Sequence, residues 1–505
     1  MNLRRPAAAL FAAALMLAGC SLDLEPSDVD VPENLKVFYN QEVSWTECPD
    51  QPDYECAKVK VPLDYKKPHG DKIRIAMMKV PAKSGKPKGT LFANPGGPGG
   101  SGIEMAASAD QHFSEKLREN YDIVGFDPRG VGESTAVDCL SDGELGKVLD
   151  SDFDLTSAEG RAAEKAQTQK VVEGCKRKSG ELLRYVGTES AARDLDVLRG
   201  LVRDEKLNYL GFSYGTSLGG MYADLFPNKV GRMVLDGAVD SQLGSPRMAY
   251  EQVRAFETAF DHYAKHCVKQ ASCALGKTVA EAKAKARSLV DQAHASPFPT
   301  SNPSRPLTGT MLRMTMISFM YNDSHWKYLD QAFDQLVGQN NGSYFLAYFD
   351  LFQEREGDRF KNNSNEANWA INCADYKVSP KSEYEKYAEK LRREAPVFGA
   401  ANEEGSDMCA TWPYHAKANP GPYRAKGSTP IVVIGTKYDP ATPISWARTL
   451  HKRLENSVLL TWEGDGHTAY SRAGSCLREP VDRYFLTGKV PKDGLVCPAS
   501  SKSVG

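Results

Sequence analysis

Ser213 lies in Gly211-Phe212-Ser213-Tyr214-Gly215, immediately after the apolar run Leu207-Asn208-Tyr209-Leu210. A serine hydroxyl is a weak nucleophile until a neighbouring base takes its proton, and the base works best when an acid holds it in one tautomer. Gly-x-Ser-x-Gly between a strand and a helix supplies the first part of that arrangement. The glycines permit a sharp turn that lifts the hydroxyl above the sheet edge, and the helix starting behind it favours developing negative charge. A second copy overlaps the first, Gly215-Thr216-Ser217-Leu218-Gly219. Ser217 falls one turn into the expected helix and reads as structural, so Ser213 is the candidate nucleophile.

The acid and the base are sought after later strands, in the chain order nucleophile, acid, base. Gly435-Thr436-Lys437-Tyr438-Asp439-Pro440 follows the apolar run 431–434, and Gly464-Asp465-Gly466-His467 follows the run 458–461. Both lie at the C-terminal ends of expected strands, where open α/β sheets place their ligands. Asp439 and His467 are therefore the expected acid and base. Asp236, at the end of an earlier strand, is a rival acid; Asp465, two residues from His467, is a weaker one. A third element is the loop Asn94-Pro95-Gly96-Gly97-Pro98-Gly99-Gly100-Ser101-Gly102, directly after the run 90–93. Its backbone N–H groups are free of side-chain cover. Those of Gly97 and Tyr214 are expected to bind an oxyanion, with Gly96 as the alternative. A phosphate-cradling loop is excluded because the Lys-Ser/Thr pair of that motif is absent. This chemistry calls for no metal and no organic cofactor.

Positioning these residues requires a sheet. Short apolar runs at 73–80, 90–93, 121–126, 207–210, 232–235, 431–434 and 458–461 alternate with helix-like stretches such as 190–203. That alternation predicts an α/β fold with a buried, mostly parallel sheet. The gap between residues 235 and 431 is too long for one strand–helix connection. It reads as helical at 247–267, 279–295 and 382–394, with frequent aromatics at 320–369. The predicted organisation is a core built from 37–240 and 429–505, with a mainly helical cap inserted at 241–428. The whole chain has 505 residues, 41% hydrophobic and 25% charged, with Lys+Arg 63 against Asp+Glu 65. These proportions exclude a collagen-like, coiled-coil or largely disordered chain, and no clustered basic excess points to a nucleic-acid partner.

The N-terminus carries Arg4 and Arg5, then an apolar run at 7–18. The run falls short of the roughly 20 apolar residues that span a bilayer and reads as a secretory signal. It ends in Leu17-Ala18-Gly19-Cys20, which resembles a bacterial lipoprotein signal. That resemblance implies removal of residues 1–19, lipid on Cys20, a tether at 20–36, and residence on the outer face of the cell membrane. Two or more acyl chains anchor a protein stably, where one binds marginally. A plain signal peptide with a chance cysteine is the alternative. There are 11 cysteines; apart from Cys20 they fall in sequence neighbours, Cys48 and Cys56, Cys139 and Cys175, Cys267 and Cys273, Cys373 and Cys409, Cys476 and Cys497. Five disulfides between those neighbours is the simplest reading in an oxidising compartment, with free buried thiols as the alternative. No Cys-x-x-Cys spacing favours zinc.

Taken together, the motifs resemble the tripeptidyl aminopeptidase group of secreted actinobacterial α/β-hydrolases, related to prolyl iminopeptidases. The matching residues are Trp45-Thr46-Glu47-Cys48 with Cys56-Ala57, Val61-Pro62-Leu63-Asp64-Tyr65, and the 94–102 loop. They continue with Asp127-Pro128-Arg129-Gly130-Val131-Gly132-Glu133-Ser134, the Ser213 elbow, Asp439-Pro440-Ala441-Thr442-Pro443 and Gly466-His467-Thr468. The resemblance implies an α/β-hydrolase core and a serine exopeptidase that releases short peptides, typically tripeptides, from substrates with a free N-terminus. Such an enzyme must recognise an α-ammonium group. Asp375, in Asn372-Cys373-Ala374-Asp375, is a candidate carboxylate, with a helix cap as its alternative role; Glu366, Asp323 and Glu104 are further acidic candidates. A lipoprotein carboxylesterase or lipase would use the same machinery; a free-amine-binding carboxylate in the cap would favour the peptidase, and a purely apolar channel the esterase. A surface solute-binding lipoprotein fits the anchor and the disulfides but leaves the Ser–Asp–His set idle.

Overall fold

The computed structural model describes residues 31–399 and 408–499. Cys20, the signal and most of the tether lie outside them. Ten strands form one sheet: β1 (Thr46–Cys48), β2 (Gln51–Pro62), β3 (Lys72–Val80), β4 (Thr90–Asn94), β5 (Asp122–Asp127), β6 (Leu207–Phe212), β7 (Val230–Asp236), β8 (Ile431–Tyr438), β9 (Ser457–Asp465) and β10 (Leu495–Cys497). Their spatial order is β1-β2-β3-β5-β4-β6-β7-β8-β9-β10. The first three strands and the junction of β3 with β5 are antiparallel; every later pairing is parallel.

The two regimes look different in the sequence because they are buried differently. β4 is buried at every position and β8 at its first six. Helices cover both faces there, and the strands read as continuous apolar runs. β2 buries Ala57, Val59 and Val61 while exposing Lys58 and Lys60 between them. Its period of two, interrupted by lysines, hides it from a search for apolar runs. The three-residue strands β1 and β10 are too short to leave a signal.

The helices needed below are α1 (Gly102–Ala107), α2 (Thr188–Leu201), α3 (Tyr214–Leu225), α4 (Ser245–Cys267), α5 (Gly309–Met320) and α6 (Ser364–Asp375). The chain leaves the sheet after β7 and returns in β8, which pairs directly with β7 through Asp236 opposite Ile434. Leaving and re-entering at neighbouring strands lets a long insertion sit outside the sheet without breaking its pairing. The insertion has its own apolar cluster, including Phe260, Tyr263, Leu312, Phe319 and Phe333. The bounds 241–428 are not a packing boundary, however. Ala367, Ala370, Ile371 and Cys373 of α6, with Trp412 and Tyr423, join the cluster on one face of the sheet. The later part of the stretch is thus built into the core.

Five disulfides join the neighbouring cysteines, Cys48–Cys56, Cys139–Cys175, Cys267–Cys273, Cys373–Cys409 and Cys476–Cys497. Cys48–Cys56 closes the β1–β2 hairpin, and Cys476–Cys497 ties the helix Ser475–Thr487 to β10. No helix among the described residues is long and apolar enough to cross a membrane.

Candidate active site

Ser213 sits between β6 and α3 with φ 54° and ψ −123°, a backbone conformation that costs a non-glycine residue energy. Surrounding contacts impose it. The Ser213 N–H donates to the Asp236 carbonyl across the sheet at 2.9 Å. A Cβ on Gly215 would lie 2.8 Å from the Asn94 carbonyl oxygen, so this approach of α3 to β4 demands glycine. Ser217, the overlapping candidate, is 3% exposed inside α3, and its hydroxyl has no hydrogen-bond partner. It is buried inside the helix, whereas Ser213 at the elbow is half-buried.

The 94–102 loop closes over the elbow. A Cβ on Gly96 would fall 2.5 Å from the Phe212 carbonyl oxygen and 2.8 Å from Ser213 Cβ, and Gly96 has φ +100°. The Gly96 N–H donates to Asn94 Oδ1 at 3.0 Å and is therefore occupied. The N–H groups of Gly97 and Tyr214 donate to no described residue. The loop's far end is held by Asp127, whose carboxylate accepts from Ser101 Oγ at 2.6 Å and from the Ile103 and Glu133 N–H groups. Beyond it, the fully buried Arg129 grips Asp194 through two bonds of 2.7 Å, and Tyr65 Oη adds a third at 2.8 Å. The motifs around Tyr65 and Asp127 thus form a buried polar frame beyond the loop, a role their residue types and spacing alone do not reveal.

On the other side, His467 Nδ1 lies 2.9 and 3.0 Å from the two oxygens of Asp439. Asp439 is 2% exposed, and its carboxylate also accepts from the Ala441, Thr442 and Thr468 N–H groups and from Thr442 Oγ1. Thr442 Oγ1 also lies 3.3 Å from His467 Nδ1. Its role was not foreseen, although it stands in the quoted Asp439–Pro443 motif. His467 Nε2, the atom that would face a nucleophile, is buried and has no hydrogen-bond partner. It lies beside the elbow. Gly237 follows the residue bonded to the Ser213 N–H, and a Cβ on it would fall 3.2 Å from His467 Cε1. The Asp439–His467 bond is therefore formed, and His467 Nε2 makes no hydrogen bond to Ser213.

The rival acids have other partners. Asp236 is fully buried and accepts from the Ala469 and Tyr470 N–H groups, bracing the turn after His467; burial pushes its carboxyl up to about 6. Asp465 meets His262 Nδ1 at 2.5 Å. The amine-binding candidate Asp375 requires a correction. Both its oxygens are occupied by Thr188, one by the N–H at 2.7 Å and the other by Oγ1 at 2.5 Å, and Thr188 Oγ1 in turn touches Tyr214 Oη at 2.6 Å. Asp375 thus caps the first turn of α2 from another segment, and burial raises its carboxyl to about 6. The other acidic candidates are also engaged. Glu366 holds the N–H groups of Cys139 and Leu140, Asp323 pairs with Arg472, and Glu104 accepts from Asn362.

A mostly parallel sheet with a strained serine at its strand–helix turn, beside a buried carboxylate–imidazole pair, defines an α/β-hydrolase of the serine hydrolase class. The comparisons with known proteins agree. The chain is 36% identical over 512 residues to the serine protease Hip1 of Mycobacterium tuberculosis strain H37Rv, covering 97% of this chain and 96% of that protein. It is 32% identical to the tripeptidyl aminopeptidase of Streptomyces lividans over 458 residues, covering 88% of this chain and 83% of that protein. It is 34% identical to carboxylesterase B of Mycobacterium tuberculosis, covering 88% and 86%. The family described as TAP-like protein matches residues 395–497, which include Asp439 and His467. The chain belongs to the tripeptidyl aminopeptidase-like family of α/β-hydrolase serine peptidases.

Proposed function

We propose that the chain is an exported, lipid-anchored serine exopeptidase that removes short peptides, tripeptides foremost, from free N-termini. The observation that carries this reading is the Asp439–His467 pair at 2.9 Å set beside the Ser213 elbow, with two unoccupied N–H donors at Gly97 and Tyr214. Along almost its whole length the chain resembles proteins named for peptide cleavage. Ser213 Oγ attacks the scissile carbonyl while His467 Nε2 takes its proton. Asp439 holds Nδ1–H and stabilises the imidazolium. The Gly97 and Tyr214 N–H groups receive the oxyanion. As the carbon–nitrogen bond breaks, the imidazolium protonates the leaving amine. Water, deprotonated by His467, then releases the acyl group from Ser213. The lipid anchor rests on the Leu17–Cys20 motif, and the location on the outer membrane face follows from it.

The test compares the mature protein with Ser213→Ala on a free tripeptide anilide, a single-residue anilide, an N-blocked tripeptide anilide and a p-nitrophenyl butyrate. Ser213-dependent cleavage of the free tripeptide alone among the anilides supports the proposal. A carboxylesterase is the second reading, favoured by the carboxylesterase B relative. Turnover of the butyrate with none of any anilide would establish it. Detergent-phase partition that Cys20→Ser abolishes checks the anchor.

A further inference from the structure

His467 does not owe its place to the sheet alone. It lies just past β9, in a turn where Gly466 has φ +96°, and such a turn has no intrinsic reason to hold an imidazole to within tenths of an ångström. The holding contacts come from the helical insertion. The His467 N–H donates to the Tyr321 carbonyl at 2.8 Å, and the neighbouring residues Gly466 and Asn322 pair as an isolated antiparallel bridge. The Tyr321 ring stands edge-on to the imidazole, at 87° with centroids 5.3 Å apart. Arg472 closes the same turn from the core side. Its Nη1 donates to the His467 and Thr468 carbonyls at 3.2 and 3.4 Å, and its Nη2 to the Asp465 carbonyl and to Asp323 Oδ1, both at 2.6 Å. On the opposite flank His262, from α4, meets the Asp465 side chain. Each of the residues 465, 466 and 467 therefore touches the insertion. The fit is tight, since a Cβ on Gly466 would lie 2.6 Å from both Arg472 Nη1 and the Tyr321 carbonyl oxygen.

We propose that the Tyr321–Asp323 segment at the end of α5, locked through Arg472, is a clamp that positions His467, with Tyr321, Asp323 and Arg472 as positioning residues. The insertion then does more than wall the cleft: displacing it displaces the base. This inference rests on the reading of His467 as the catalytic base. The Asp323 side chain is 45% exposed, and an ion pair so placed contributes little to stability. A role confined to folding would thus leave Asp323 variants close to the native protein in every respect. A positioning role predicts a lower kcat with KM nearly unchanged.

The experiment measures kcat and KM on p-nitrophenyl butyrate and on a tripeptide anilide, with thermal unfolding alongside, for Asp323→Asn, Asp323→Glu, Arg472→Lys, Arg472→Ala and the Asp323→Asn/Arg472→Ala double variant. The expected result is a fall of about 10-fold in kcat for Asp323→Asn and Arg472→Lys at unchanged KM, and a larger fall for Arg472→Ala. Asp323→Glu is expected to recover part of the rate. The double variant is expected to be no worse than Arg472→Ala, because residues that act as one unit are not additive. Native kcat in well-folded Asp323→Asn and Arg472→Lys would overturn the clamp, as would a loss that tracks the unfolding temperature. If Arg472→Ala does not fold, the two conservative variants decide. Ser213-dependent turnover in the wild type with unaffected clamp variants rejects the clamp alone. No Ser213-dependent turnover on either substrate rejects the clamp together with the function it rests on.

Discussion

The two sides of the site are built in different ways. The nucleophile side is made by close backbone approach within the sheet core. Gly96 lies against Phe212 and Ser213, Gly215 against Asn94, and Ser213 is bonded to the Asp236 carbonyl. The base side also depends on the helical insertion. Asp439 is held by its own turn, but His467 meets Tyr321 and Arg472 meets Asp323, 149 residues earlier. Backbone sterics inside the sheet core leave glycines that make one half recognisable, while the other half is joined to a helical insertion. If the clamp acts as proposed, the Ser213 side is preformed and the His467 side is the part that displacement of the insertion would tune.

The largest effect comes from removing the preformed half. Ser213→Ala is expected to lower kcat by about 10⁴-fold or more on any ester or anilide, by analogy with the loss of other serine nucleophiles. Residual turnover close to wild type would move the nucleophile elsewhere. Gly96→Ala tests whether the elbow is held by backbone contact. With φ +100° and a Cβ only 2.5 Å from the Phe212 carbonyl oxygen, it should cost about 10²-fold in kcat or more. A fully active variant would show that the loop yields freely.

A third prediction uses pH to separate structure from catalysis at the rival acid. Asp236 has its folded carboxyl raised from 3.8 to about 6, so the folded protein holds this proton more tightly than the unfolded chain does. Its contribution to stability is fully present below pH 4 and is lost as pH rises through 6, a difference on the order of 3 kcal/mol. Asp236→Asn removes that slope. Its stability relative to wild type, from urea unfolding with disulfides intact, should improve between pH 4 and pH 7. A constant difference would show that the buried carboxyl does not titrate in that window. The smallest effect is at Thr442, whose hydroxyl donates to Asp439 Oδ2 at 3.0 Å. Thr442→Val leaves the three N–H donors to that carboxylate and should lower kcat by about 10-fold, chiefly through the orientation of His467.

Legibility followed the same division. The elbow, the glycine loop and the parallel strands could be read because each imposes a local pattern: glycine where two backbones meet, and an apolar run where both faces are covered. Strand β2 could not, since lysines interleave its buried residues. Asp439 and Asp236 are both aspartates at strand ends after Ser213, so residue type cannot separate them. The structure shows one bonded to the imidazole and the other bracing Ala469 and Tyr470. For Asp375 the sequence left an amine-binding carboxylate and a helix cap both open; it caps, because a helix beginning far away in sequence presents it with an unpaired N–H.

By itself, the sequence determined the mostly parallel α/β core, the turn that carries Ser213 and the loop beside it; neighbour pairing of ten cysteines was its simplest reading, and the structure made it definite. These follow from short-range geometry and from which residues can be buried. Only the tertiary structure decided which carboxylate meets His467, what occupies Asp375, and that Tyr321 and Asn322 of the helical insertion contact the turn carrying His467. A carboxylate's role is set by the donors that long-range packing brings to it, and those donors can lie more than a hundred residues away.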